Sequence, residues 1–136
     1  MTAKQMQPGD IIEVPTPNGT RYARLLRQDA FGVLLAGLGD ARDAGDFIFV
    51  AYVNPASIPK EWQVVANDPA ASKGVRIPAF FFGSSATSWT IQTAEEERYL
   101  PGTEATMHDL TARGYVHKVL WLATDIAAAL DGKPLI

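Results

Sequence analysis

The sequence predicts an α+β fold, mostly antiparallel β, with an SH3-like small barrel followed by further strands and short C-terminal helices. Three observations lead there. Apolar residues alternate at a period of two through short segments over residues 8–66. Those segments are separated by tight-turn residues, namely Pro8-Gly9, Asn18-Gly19 and Asp29-Ala30. Helix start and stop signals gather only late, around 103–114 and 124–134.

Taken in order, Asp10 to Val14 reads as a short strand placing Ile12 and Val14 on one face. Asn18-Gly19, behind Pro15 and Pro17, is a favoured hairpin turn. Thr20 to Gln28 then alternates Ala23 and Leu25 against Tyr22, Arg24 and Leu26. Phe31 to Ala36 follows as a third antiparallel strand, with Phe31, Val33 and Leu35 on one side. Gly37 to Asp46 is polar and glycine-rich, hence a loop. Phe47 to Val53 is apolar on both faces, as a central buried strand would be, and Trp62 to Val65 completes the five-stranded barrel.

Beyond it, Ala79 to Phe82 reads as an edge strand and Trp89 to Thr93 as another strand. Thr103 is placed to cap a helix over Glu104 to Ala112 that ends before Gly114. Val116 to Leu122 alternates as a strand. Thr124 then opens a last helix with Ile126, Ala129 and Leu130 on one face, stopped by Gly132 and Pro134. No internal repeat is visible, and residues 1–136 are expected to form a single domain, barrel-like over 8–66 and α+β over 79–131.

Composition narrows the function. The chain has 136 residues, 47% of them hydrophobic and 20% charged, values typical of globular proteins. A net charge of −3 and a pI near 5.3 argue against direct nucleic-acid binding. With no cysteine, disulfides and thiolate metal sites are excluded. The start carries no apolar leader pattern and no apolar run reaches the ~20 residues of a membrane helix, so a cytoplasmic protein with no membrane partner is expected.

The residues that tempt a catalytic reading do not sustain one. Gly37-Leu38-Gly39 follows a strand as a dinucleotide turn does, but Arg42 stands where its third glycine belongs. Asp40, Asp43 and Asp46 are three apart, unlike a calcium loop, whose acidic positions are two apart. They read as a solvated acidic loop suited to a basic partner. Glu95-Glu96-Glu97 is a second acidic run, either a charged sheet edge or part of a recognition surface. His108 and His117 fall on different elements, and Phe82-Gly83-Ser84-Ser85-Ala86 lacks the spacing of a nucleophile elbow. Trp62 and Trp121 lie on apolar strands and read as core, whereas Trp89, between a polar linker and the acidic run, reads as an exposed interface anchor. No catalytic, cofactor or metal residues are assigned; no enzyme activity is expected.

The run Pro8-Gly9-Asp10-Ile11-Ile12-Glu13-Val14-Pro15, then Asn18-Gly19, then Tyr22-Ala23-Arg24-Leu25-Leu26, resembles the opening of the bacterial immunity protein 26 family. A later tryptophan strand, Trp62-Gln63-Val64-Val65, and a short C-terminal helix are similar too. Ala23 replaces the glycine usual beside the strand arginine, and the last helix is alanine-rich where the family's is acidic. Gly9, Asp10, Pro15, Tyr22, Arg24 and Trp62 match the family pattern and read as fold-makers. The resemblance implies a cytoplasmic antidote that neutralises a polymorphic toxin, encoded by an adjacent gene, through tight stoichiometric binding. Many such toxins are nucleases with basic clefts, for which Asp40, Asp43, Asp46, Glu95, Glu96 and Glu97 would supply complementary charge. That placement, with Trp89 as anchor, follows from charge and not from the resemblance. A rival reading is an SH3-like adaptor or nucleic-acid accessory domain using Arg21, Arg24 and Arg27, of which Arg21 and Arg27 are expected on one face. Apolar strands with a free edge leave homodimerisation open.

Overall fold

The computed structural model describes residues 6–42, 46–70 and 76–135. The chain divides into two compact units, Met1–Val75 with Leu120–Ile136, and Arg76–Val119. Both are β-rich, their strands mostly antiparallel, with few and short helices. Among the described residues no helix is long and apolar enough to cross a membrane.

The first unit is built on β1 (Asp10–Thr16), β2 (Gly19–Gln28), β3 (Val33–Gly39), β4 (Phe49–Val53), β5 (Gln63–Asn67) and β10 (Leu120–Trp121). Their order is β10-β4-β3-β2-β1-β5. β1 to β4 form the expected antiparallel meander, and β5 returns to pair with β1. The expected SH3-like barrel is an open sheet. The outer side of β4, which a closing strand would use, is taken by the parallel pairs Leu120–Tyr52 and Trp121–Val53. Nor is Phe47 to Val53 the central strand, since β4 stands second in the order. The central position belongs to β3 beside β2, and every residue from Val33 to Leu38 is buried.

Alternation then decides the core. Ile12, Val14, Ala23, Leu25, Val33, Leu35, Ala51 and Val53 fall on one face and pack against Ile126 and Leu130 of the last helix, α2 (Ala123–Leu130). Trp62 completes this cluster and Trp121 packs at its margin, as expected of both. Fully burying one such aliphatic side chain is worth about 1.5–3 kcal/mol.

The Pro8-Gly9-Asp10 opening is a structural joint. Gly9 has φ +93°, and a Cβ there would stand 2.6 Å from the Pro69 backbone, so only glycine fits. Asp10 is 3% exposed, and its carboxylate accepts from Gln7 N at 2.7 Å and Asn67 Nδ2 at 2.6 Å. The Asn67 bond fastens the start of β1 to the end of β5, the Gln7 bond closes the turn before β1, and together they satisfy a charge that would be costly if buried alone.

The hairpin loop is Pro17-Asn18, with Thr16 opposite Gly19. Its neighbour Arg21 reaches Asp131 at 3.3 Å, and Thr16 Oγ1 donates to the same carboxylate at 2.7 Å. An anion at the end of α2 opposes the helix dipole, and Arg21 offsets it. α2 begins at Ala123, one residue before the expected Thr124 cap. Its first amides are met by Ser57 Oγ, accepting from Ala123 N at 2.9 Å, and by Asp125, accepting from Leu122 N at 3.0 Å.

The second unit is a four-stranded sheet, ordered β8-β7-β6-β9, of β6 (Phe80–Gly83), β7 (Ser88–Gln92), β8 (Glu97–Pro101) and β9 (Val116–His117). β6 is therefore not an edge: parallel β9 lies on its outer side. The single strand expected over Val116 to Leu122 is two strands in two sheets, separated where Lys118 N donates to Phe81 O and Val119 N to His117 O. Helix α1 (Met107–Ala112) starts later than expected. Gly102–Glu104 is a 3₁₀ turn, and Thr106, not Thr103, is the cap, in a reciprocal box with Asp109.

Candidate interaction surface

The two acidic clusters fall in different units. Asp40 and Asp46 are exposed in the first, beside β3 and ahead of β4, while Asp43 lies outside the described residues. Glu95, Glu96 and Glu97 are all exposed in the second, on the β7–β8 hairpin.

That hairpin is organised by Thr93. Its N–H donates to Glu96 O at 2.9 Å, while its hydroxyl oxygen accepts from Glu96 N at 3.1 Å and Glu95 N at 3.3 Å. Ala94 and Glu95 are thereby held at the tip. Gln92 Nε2 donates to Glu97 Oε1 at 2.9 Å, and Lys118 Nζ donates to Gln92 Oε1 at 2.8 Å. Arg98 approaches Glu96 at 3.6 Å with both side chains more than half exposed, a pair worth at most about 1 kcal/mol. The acidic run keeps most of its charge available to a partner.

Trp89 corrects the expectation made for it. It is 2% exposed, its indole N–H donates to Ala105 O at 2.9 Å, and it meets Phe81 edge-on at 5.7 Å between centroids. It is the centre of the second unit's core, with Phe81, Ile91 and Leu110, and is no interface anchor. Ser88 and Ser84 are polar because they turn the chain: Ser84 N donates to Ser88 O, and Ser84 Oγ accepts from Ala86 N. The polar linker thus surrounds a strand whose own alternation points the tryptophan inward.

The exposed aromatic in this region is Tyr99, at 72%. It lies on β8 beside a concavity of about 170 Å³ walled by Ile91, Arg98, Leu100, Arg113 and Tyr115. Arg113 and Tyr115 also wall a shallower groove of about 610 Å³ that reaches Arg76, Thr93 and Glu95. Tyrosine and arginine are the residue types that most often carry interface energy. Sequence reasoning passed over Tyr99, and Glu97-Arg98-Tyr99-Leu100-Pro101 carried one usable signal. A proline closing a segment of charged and aromatic residues is how an edge strand reads.

The arginines of β2 are engaged within the first unit. A register shift at Leu26 turns Arg27 away from the face of Arg21, contrary to expectation. Arg27 donates to Tyr52 Oη at 2.7 Å and lies 3.2 Å from Asp29, to which Tyr52 donates at 2.7 Å. Burial pushes the Tyr52 phenol above its ordinary value, and its Asp29 acceptor adds to that against Arg27. Burial works against the Asp29 carboxylate, but hydrogen bonds from Tyr52, Phe31 N and Gly32 N, with Arg27, hold its carboxyl below the usual range. Arg24 places its guanidinium 5.9 Å from the Phe47 ring centre.

His117 stacks flat on Phe81, and His108 is exposed on α1. Among the described residues no three His, Asp or Glu side chains gather as a metal site. Compared with known proteins, the chain matches no family model, no curated protein and no solved structure.

Proposed function

We propose that this chain is an immunity-type binding protein, which neutralises a cognate toxin from an adjacent gene by stoichiometric contact in the cytoplasm. The observation that carries the reading is the β7–β8 hairpin. It presents Glu95, Glu96, Glu97 and the 72%-exposed Tyr99 on a scaffold anchored by buried Trp89. The resemblance of residues 8–26 to the immunity family supplies the biological class. In this reading β1 to β5 are an SH3-like meander opened by β10, and they act as scaffold. A toxin with a basic cleft, as in a nuclease, suits the acidic tip. The adaptor alternative gains nothing from Arg21 and Arg27, whose charges are met by Asp131 and Asp29.

Co-expression with the C-terminal domain encoded by the adjacent gene tests this. Growth rescue together with an equimolar co-purifying complex is expected; toxicity without rescue or binding overturns the reading. Lysine at Glu95, Glu96 and Glu97 together should weaken the complex by about tenfold or more at low salt, with an unchanged melting temperature. The same reversal at Asp40, Asp43 and Asp46 reports whether the first unit's loop takes part.

A further inference from the structure

Among the described residues β8 pairs with a strand on one side alone, and its other side has a definite hydrogen-bonding phase. Thr93 N donates to Glu96 O, and Gly102 N donates to Thr87 O, at the two ends of the β7–β8 ladder. Stepping two residues from either end makes Ile91–Arg98 and Trp89–Leu100 the hydrogen-bonded pairs, in agreement with the register. The backbone N–H and C=O of Arg98 and Leu100 therefore face β7. Those of Glu97 and Tyr99, with the Pro101 carbonyl, face away from it. β8 ends the sheet order, and Glu97, Arg98, Tyr99 and Pro101 are all exposed.

Side chains alternate across this edge. Arg98 and Leu100 share the face of Ile91 and Trp89, whereas Glu97 and Tyr99 share that of Gln92 and Thr90. A strand added here would set every second residue opposite Glu97 and Tyr99, and the others over Leu100 and the concavity walled by Ile91 and Tyr115. Three carboxylates, Glu95, Glu96 and Glu97, stand at one end, with the guanidinium of Arg98 3.6 Å from Glu96 and Arg113 on the wall of the adjoining concavity.

We propose that β8 captures an extended segment of the partner protein as an additional strand. That segment alternates basic side chains, facing Glu97 and Tyr99, with apolar ones, facing Leu100. Backbone hydrogen bonds to Glu97 and Tyr99 give the affinity, and the carboxylates select the sign of the partner's charge. This rests on the binding reading above, but its test needs no toxin.

The probe is an octapeptide of alternating lysine and valine, with a glutamate–valine peptide as control, each titrated into the full chain. The lysine peptide should bind at least tenfold more tightly, and it should slow exchange of the Glu97 and Tyr99 amides selectively. Tyr99→Pro removes one outward N–H without touching the β7 ladder, and should weaken binding at least tenfold, whereas Tyr99→Ala should weaken it less. Equal affinity for both peptides, protection elsewhere, or indifference to Tyr99→Pro in a folded variant overturns the proposal. So does a concentration-dependent dimer of the chain alone that Tyr99→Pro dissolves, since the edge would then belong to a second copy. Peptide capture without toxin rescue would sink only the immunity reading; rescue indifferent to Tyr99→Pro would sink only the strand-addition mode.

Discussion

His117 lies on β9 with its ring parallel to that of Phe81, 4.8 Å between centres and 8° between planes. Burial there disfavours the imidazolium and pushes its pKa below the ordinary 6.5. A base with a depressed folded-state pKa contributes stability that is complete above 6.5 and is lost as pH falls through the folded value. His117→Phe keeps a flat ring on Phe81 and removes the titration. Urea unfolding of both proteins between about pH 8 and pH 5 should therefore show a stability difference that shifts toward the variant below 6.5. A difference independent of pH would mean that the imidazole titrates as freely in the folded chain as in the unfolded one. Burial likewise separates Trp89, which its sequence context marked as exposed, from Tyr99, which that context did not single out. Trp89 lies between polar Ser88 and Thr90 yet faces the core through strand alternation, while Tyr99, between Arg98 and Leu100, faces out from the sheet's last strand.

The elements that sequence made legible are those whose partners are close in the chain. The β1–β2 hairpin follows from turn residues beside alternating strands, and β3 and β4 extend it by local antiparallel pairing. What stayed hidden depends on distant partners. The parallel pairs β10–β4 and β6–β9 are two residues long each, too short to leave a period, and they decide that the first sheet is open and that β6 is internal. β8 left only its closing proline as a signal, because an edge strand with four of its five residues exposed needs no apolar alternation, and Glu97-Arg98-Tyr99-Leu100-Pro101 has none. The acidic part of the candidate surface was thus legible as charge, while its geometry was not. α2 was legible from its apolar stripe, and that stripe carries the first unit. Ile126 is fully buried against the sheet, so Ile126→Ala should cost about 2–5 kcal/mol in chemical denaturation. Met107→Ala, at a position 48% exposed on α1, should fall within about 0.5 kcal/mol of the parent.

On the scale of the whole chain, the second unit interrupts the first: Arg76–Val119 is continuous, whereas the first unit needs both Met1–Val75 and Leu120–Ile136. The two have unequal means of standing alone. The first has a buried core spread over four strands, Trp62 and α2. The second relies on Phe81, Trp89, Ile91, Ala105 and Leu110, with neither disulfide nor metal ligand cluster among its described residues. Segments under about 50 residues seldom bury enough apolar surface to offset chain entropy without such supports. Replacing 76–119 by a short Gly/Ser linker should then leave a chain that melts cooperatively with dispersed amide resonances, while isolated 76–119 should stay unfolded. The linker chain also lacks β8 and all three glutamates of the hairpin. If the proposed immunity function holds and β8 is its recognition surface, this shortened protein should be folded and yet neither bind the cognate toxin nor rescue growth. Retained rescue would move the interface to the first unit, where exposed Asp40 and Asp46 are the first residues to follow.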